Sequence, residues 1–309
     1  MNKKSIPYVV AGLVTIAAIA ISLLHSYRRP LPAARSDKIE VAASFYPLYF
    51  FAREIGGDRA VVMDMTPAGA EPHDYEPTPG DIAAIENSKL VILNGGGLEA
   101  WGDDIKKNID PARTQVIVAG KGLTDRRVTE EGKTTTDPHV WLSPVLAGEM
   151  VERIAQGFER ADPANKSYYQ ANAAAMKARL ADLDRAYRQG LSRCAERDII
   201  TSHAAFGYLA AAYGLKQVSI AGLSPDAEPS AQQLAHITEF ARKNHVKYIF
   251  FERLVSPKLA GTIAGEIGAQ TLVLNPIEGL SNRELADGKD YFTEMKSNLV
   301  NLEKALQCR

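Results

Sequence analysis

The sequence predicts an α/β protein of two lobes, each a mainly parallel sheet flanked by helices, joined by one long rigid backbone helix. Three observations carry this. Short β-rich runs alternate with helical patterns along the chain, the pattern of parallel sheets covered on both faces. Beyond residue 36 about 270 residues remain, more than one ordinary core holds and enough for two domains of moderate size. Between the two β/α series runs a helical stretch with no internal glycine or proline until Gly190, roughly 40 Å long at ~1.5 Å per residue.

The first residues stand apart from the fold. Lys3 and Lys4 precede an apolar run, 6–24, broken only by Pro7, Tyr8, Gly12, Thr15 and Ser22. At ~1.5 Å rise per residue the run is roughly 28 Å long, close to the hydrocarbon thickness of a bilayer. Residues 1–36 therefore read as a secretion signal or an uncleaved membrane anchor. Pro32-Ala-Ala marks a cleavage site poorly, and no cysteine follows the run to accept a lipid. Export to the periplasm or another extracytoplasmic face is expected, with 6–24 contacting or entering the membrane if retained.

Residues 39–44 alternate and lead into an amphipathic stretch over 47–55. Runs 60–65, 90–94 and 114–119 are β-rich and end in turn residues, with helical patterns at 79–87 and 98–108 between them. After His139, Ser143-Pro144 opens a helix that reaches about residue 160. Asp162-Pro163 then offers an N-cap acid and a proline at the first helical position, opening the long helix over 164–192. Its apolar positions, Met176, Leu180, Leu183, Tyr187 and Leu191, form one stripe; packing across the backs of two lobes suits that stripe better than a coiled-coil arm. A second series of β-rich runs, 198–201, 217–221, 248–251 and 271–274, is interleaved with helices, the last over 291–306. The expected limits are an N-terminal lobe over 37–161, a linking helix over 162–192 and a C-terminal lobe over 193–309.

Lys plus Arg total 36 and Asp plus Glu total 37, mixed along the chain. No basic stripe is present, which excludes a nucleic-acid partner. Cys194 and Cys308 form no CxxC pair; an oxidising compartment favours a disulfide between them, two free thiols being the alternative.

Three of the six histidines sit where a β-rich run hands over to a turn: Ala-Glu-Pro-His73-Asp-Tyr-Glu-Pro, Asp-Pro-His139-Val-Trp-Leu-Ser-Pro and Thr-Ser-His203-Ala-Ala-Phe-Gly-Tyr. Imidazole is the commonest protein ligand for borderline transition metals. The three lie 66 and 64 residues apart, too far for a zinc finger or an i,i+4 pair. Taken singly, each reads as an ordinary buried or exposed histidine. Taken together, each follows a strand, and open α/β sheets bind ligands at the carboxyl ends of their strands. Glu278, in Asn-Pro-Ile-Glu-Gly-Leu after the run 271–274, obeys the same rule. Two candidates fall in each lobe, so they would meet in the cleft, and three imidazoles with one carboxylate suit zinc. Glu252, ending the run 248–251, reads either as a partner for a ligand imidazole's ring N–H or as a structural residue. Glu71, Asp74 and Glu76 play the same part or belong to a solvated loop. His236 and His245 sit in and after a helical pattern and His25 at the edge of the apolar run; none needs a metal.

From Val41 to the C-terminus the chain resembles the metal-receptor family of solute-binding proteins that serve zinc and manganese ABC transporters. The resemblance rests on Ser-Phe-Tyr-Pro-Leu, on the three histidine motifs, on Glu228-Pro-Ser and on Asn-Pro-Ile-Glu-Gly-Leu, all in order. It implies His73, His139, His203 and Glu278 as ligands. It also implies a monomeric extracytoplasmic receptor, not an enzyme, that captures Zn2+ between two lobes and delivers it to a membrane permease. Manganese-type members typically carry glutamate and aspartate at the third and fourth positions; His203 makes this set richer in nitrogen and favours zinc, with Mn2+ the alternative. Many zinc-type members carry a His-rich loop before the second histidine, whereas residues 122–137 contain none, so scavenging by that loop is not expected. The competing class is a zinc hydrolase, but His-Glu-x-x-His and Gly-x-Ser-x-Gly are missing and a fourth protein ligand would close the site. Surface adhesion, a role sometimes attributed to this family, finds no repeat or apolar patch in the sequence to support it.

Overall fold

Two four-stranded parallel sheets dominate the chain, and their strands are arranged alike. The computed structural model describes residues 38–130 and 133–309; the apolar run 6–24 and His25 lie outside them. The first sheet is built from β1 (Ile39–Ala43), β2 (Ala60–Asp64), β3 (Leu90–Leu93) and β4 (Gln115–Val118), in the order β2-β1-β3-β4. Helices α1 (Tyr46–Gly56), α2 (Pro79–Asn87) and α3 (Gly102–Asn108) connect them, and α4 (Pro144–Ala161) follows. The long helix α5 (Lys166–Gly190) leads to the second sheet: β7 (Asp198–Thr201), β8 (Lys216–Ser219), β9 (Tyr248–Phe251) and β10 (Gln270–Val273), in the order β10-β9-β7-β8. Its helices are α6 (Gly207–Tyr213), α7 (Ala231–Lys243), α8 (Lys258–Ile267), α9 (Asn282–Ala286) and α10 (Tyr291–Ala305). Read from its other edge, the second sheet repeats the first: second strand, first, third, fourth. Each sheet therefore has its topological switch point between its first and third strands, where α/β folds leave a crevice for a ligand.

Local sequence accounts for these elements. β3, Leu-Val-Ile-Leu, is buried throughout, as a central parallel strand must be. Helix α2 opens with Pro79 behind a capping box in which Thr78 and Asp81 exchange side-chain and backbone bonds. Helices α6 and α8 end at Gly214 and Gly268, both left-handed, at φ 67° and 71°, a conformation that favours residues without Cβ.

Three local expectations are revised. Asp162 does not cap the long helix. Its carboxylate accepts from Asn165 Nδ2 at 2.7 Å and from Tyr169 Oη at 2.6 Å, so a 3-10 turn over Pro163–Asn165 precedes α5. The segment 122–137, read as a loop, contains an antiparallel hairpin of β5 (Arg127–Glu130) and β6 (Lys133–Thr136); its threonines and Val128 are β-formers. Helix α3 begins later than its pattern because Glu99 turns back to accept from the Asn94 and Gly95 amides at 2.6 and 2.9 Å.

One large apolar cluster spans the two lobes, and each lobe keeps a smaller one of its own. The large cluster runs from Val41, Phe50 and Phe51 through Trp141, Met176, Leu180 and Leu183 to Phe250, Tyr291 and Leu306. The stripe of α5 predicted from sequence is buried along its length, and α5 packs on α1 and α4 of the first lobe and α10 of the second. Tyr187 Oη donates to Met295 O at 2.6 Å, and Tyr291 meets Phe51 edge-on with centroids 4.9 Å apart. The interface is thus apolar, aromatic and continuous with the core of each lobe, so wide opening would expose core surface to water.

Cys194 and Cys308 are bridged across a sequence separation of 114. Beside the bridge, Glu196 N–H donates to Leu306 O and Arg309 N–H to Arg193 O, tying the end of α10 to the start of the second lobe. Closing so long a loop is worth on the order of 4 kcal/mol in chain-entropy terms, with native strain subtracting from it. Thiol titration of the unfolded, unreduced protein is expected to find no free thiol, and reduction to lower Tm. Detection of two reactive thiols would contradict the bridge.

Candidate metal centre

The four side chains singled out by sequence converge. His73 stands on the long connection after β2, His139 after the β5–β6 hairpin, His203 two residues beyond β7 and Glu278 shortly after β10. The His73 loop is steadied by Tyr75, whose Oη donates to Asp81 at 2.5 Å, joining the loop to the α2 cap. His139 and His203 each open a 3-10 turn whose other residues are buried, which roots the imidazoles in the core.

Nε2 of His139 lies 3.3 Å from Nε2 of His73 and 3.3 Å from Nε2 of His203. Glu278 Oε1 lies 3.0 Å from His139 Nε2, 3.2 Å from His203 Nε2 and 3.5 Å from His73 Nε2. All four donor atoms fall within 4.8 Å of one another. The edge of a tetrahedron is 1.63 times its centre-to-vertex distance, so Zn–ligand bonds of ~2.0–2.1 Å require donor separations of about 3.3–3.4 Å. The five separations given, 3.0–3.5 Å, lie around that value. His139, His203 and Glu278 are buried, while the His73 side chain keeps 10% of its exposure; His73 is the donor nearest to solvent.

Two carboxylates settle the tautomers. Asp137 Oδ1 lies 2.9 Å from His139 Nδ1, and both Glu252 oxygens lie 2.8 Å from His203 Nδ1. An ionised carboxylate only accepts, so each Nδ1 carries the proton and, in the neutral ring, Nε2 presents its lone pair to the centre. The same carboxylates accept the backbone N–H groups of His139 and His203 at 3.0 and 3.2 Å, fixing ring and backbone together. Glu252 thus has the orienting position considered for it. It follows β9, the neighbour of β7 at the switch point, so its proximity to His203 is a property of strand order. Asp137 was missed; the signal was an acid two residues before the histidine across a proline, close enough to reach both its ring and its amide. Glu71 accepts the His73 N–H at 3.3 Å. Exposed His236 and His245 lie outside the cluster.

Without a cation the centre must hold protons. Burial resists a charge on His139, but its bonds with Asp137 and Glu278 outweigh burial and raise its pKa above the ordinary imidazole value. At His203 burial is overcome by the charges of Glu252 and Glu278, and the pKa stands well above that value. Burial likewise pushes Glu278 upward, yet the charge of His203 and bonds from the imidazoles hold it well below the usual carboxylate range. Glu71 goes the other way: burial first, then the charge of Glu278, push its carboxyl up to about 9.

The sequence matches, over residues 41–305, the model of the ZnuA family, described as zinc-uptake complex component A, periplasmic. It is 41% identical over 310 residues to the high-affinity zinc uptake system protein ZnuA of Bacillus subtilis, with 96% of this chain and 97% of that protein aligned. It is 40% identical to the zinc-binding lipoprotein AdcA of Streptococcus pneumoniae over 86% of this chain, which spans only 56% of AdcA. The crystal structure of the Zn(II)-bound ZnuA-like domain of that AdcA superposes with a TM-score of 0.75 at 40% identity, covering 87% of this chain and 99% of the domain. A two-lobed α/β fold, a buried three-histidine, one-glutamate cluster and this breadth of sequence identity agree: the chain belongs to the ZnuA family of zinc-uptake solute-binding proteins.

Proposed function

We propose that this protein is an extracytoplasmic receptor that captures Zn2+ through His73, His139, His203 and Glu278 and delivers it to the permease of an ABC transporter. The observation that carries the reading is the spacing of the four donor atoms, which fits the edges of a zinc-centred tetrahedron. Zinc uptake and zinc binding are the named properties of the relatives, and the nitrogen-rich donor set suits zinc better than manganese. Four protein donors leave no open position for an activated water, which favours carriage over hydrolysis. One copy of the chain supplies every donor, so the site needs no second subunit and a monomer suffices. The lobe limits near residues 161 and 193 are our reading of where α5 bridges the two sheets. The N-terminal segment 1–36 serves export, either as a cleaved signal or as an anchor holding the receptor at the membrane.

Removal of a nitrogen donor should be severe. His139→Ala and His203→Ala are expected to weaken zinc binding by at least a hundredfold, about 3 kcal/mol, while His236→Ala and His245→Ala leave it unchanged. Glu278→Ala should fall between, because water can fill the vacated position. Equal losses for all five variants in competition titrations would defeat the assignment.

The pH dependence follows from the protons that zinc displaces. In the metal-free protein, the raised imidazole pKa values of His139 and His203 contribute stability that is full below the unfolded value of roughly 6.5 and lost as pH rises through the folded values. The depressed Glu278 contributes stability present above its unfolded value of about 4.3 and lost as pH falls through its folded one. Zinc requires both rings neutral at Nε2, so its affinity should keep climbing with pH above ~6.5. The gain in Tm on saturation should be larger at pH 8 than at pH 6. A gain independent of pH would contradict protonation of the empty site.

Because one large apolar cluster spans the two lobes, loading is expected to change overall size little and to act through local ordering around His73. Small-angle scattering of metal-free and zinc-loaded protein checks this; a large compaction on loading would mean that α5 is not a rigid strut.

A further inference from the structure

Glu278 reaches the centre on a backbone that its surroundings force into an unfavourable shape. Ile277, directly before it, has φ 59°, a left-handed conformation that a β-branched residue adopts only when neighbouring structure imposes it. The imposing bonds can be named. Asn275 N–H donates to Asn298 Oδ1 at 2.8 Å, and Asn298 Nδ2 donates back to Asn275 O at 2.7 Å. Ile277 N–H donates to Asn275 Oδ1 at 2.8 Å. From the other lobe, Trp141 Nε1 donates to Pro276 O at 2.7 Å. Asn275 Nδ2 then donates to Glu294 Oε2 at 3.1 Å, and the second Glu294 oxygen lies 3.2 Å from Lys289 Nζ.

Asn275, Asn298 and Glu294 are all buried. Burying two amides and a carboxylate is costly unless each polar atom finds a partner, and an apolar trio would fill the space without that cost. What this network secures is the peptide of residues 275–277. Glu278, which follows that peptide, faces all three imidazole Nε2 atoms with the same oxygen, Oε1.

We propose that Asn275, Asn298 and Glu294 are positioning residues that hold Glu278 to a single oxygen at the metal, keeping the centre four-coordinate and thereby selecting zinc over manganese. This rests on the reading of Glu278 as a ligand. Manganese favours six-coordinate, oxygen-rich surroundings, whereas zinc is satisfied by a tetrahedron. A carboxylate on a relaxed loop can pivot and offer its second oxygen, raising the coordination number and narrowing the preference for zinc. Bonds from both lobes to residues 275–277, from Trp141 on one side and Asn298 on the other, fix the main chain from which Glu278 extends, so the reach of Oε1 to the centre is set before the metal arrives.

The test is a double-mutant cycle on the full chain, comparing Asn298→Ala, Glu278→Ala and the double variant. The readouts are zinc and manganese affinity, the visible absorption of the Co2+-loaded protein and the melting of the metal-free form. Asn298→Ala is expected to lower zinc affinity roughly tenfold, the size usual for groups that orient metal ligands, and to reduce the zinc-to-manganese affinity ratio. It should also weaken the intense absorption of tetrahedral Co2+. In the Glu278→Ala background the same change should cost no further zinc affinity, because the residue it positions is gone. Asn298→Ser serves if the alanine variant does not fold. Glu294→Gln, which keeps an oxygen for Asn275 Nδ2, should retain the wild-type spectrum and ratio, and Glu294→Ala should not. Additive losses in the cycle, or a lower melting temperature with spectrum and ratio unchanged, would overturn the inference and leave the network a purely structural role. If Glu278→Ala alone leaves zinc affinity unchanged, it is the ligand reading that fails.

Discussion

The inward lone pairs of His139 and His203 and the Oε1 of Glu278, with His73 Nε2 beside them and each within 3.5 Å of a neighbour, repel one another unless positive charge sits among them. The structure is organised around that constraint. Asp137 and Glu252 deepen it by pinning the Nδ1 protons of His139 and His203 outward, which leaves both rings pointing lone pairs inward. In water such a cluster would relax by rotating its side chains. Here His139 and His203 are fixed at ring and backbone by one carboxylate each, so relief comes from protons or from a cation.

The folding problem is therefore to bring four residues together from distant parts of the chain and keep them there. Two sheets of identical strand order solve it, since each presents its switch point and strand ends toward a common region. His203 and Glu252 follow adjacent strands β7 and β9, so the pairing of this imidazole with its orienting carboxylate comes with the sheet. The lobes are then locked by the apolar stripe of α5, by aromatic contacts around Tyr291 and by bonds that run between the ligand segments themselves. Tyr291 Oη donates to Trp141 O at 2.5 Å, and Trp141 in turn holds Pro276, which links the His139 turn to the Glu278 loop through side chains no ligand search would select.

Residues 122–137 lack histidine yet are tied to the centre. Arg126 Nε lies 3.6 Å from Asp137 Oδ2, and the guanidinium sits over the ring of Tyr208, 5.6 Å from its centroid. Tyr208 Oη donates to Asp137 O at 3.1 Å. The carboxylate beneath His139 is thus shared between the four-residue cluster and the base of the hairpin, and Gly207 allows the approach, because a Cβ there would meet Arg126 Nε and Asp137 Oδ2 at 2.7 Å.

Much of this was legible before any coordinates. Alternating β and α patterns determine parallel sheets because strands buried on both faces must be apolar runs and their crossovers must be amphipathic. The stripe Met176, Leu180, Leu183, Tyr187, Leu191 determined that α5 would be buried on one side. The four candidate ligands could be picked out because each follows a strand, and the rule that strand ends carry sites needs no coordinates. Tertiary structure alone decided the rest, for a physical reason common to every case: the deciding bonds join residues with no local periodicity between them. Asp137 and Glu252 acquire their roles from distances to imidazole nitrogens, and Asn275, Asn298 and Glu294 from a clamp closed across α10. Asp162, a sound N-cap by sequence, was drawn to Asn165 and Tyr169 instead. Local propensity set which elements exist, while the spacing of the donor atoms to within a few tenths of an ångström belongs to packing between lobes that the linear pattern does not encode.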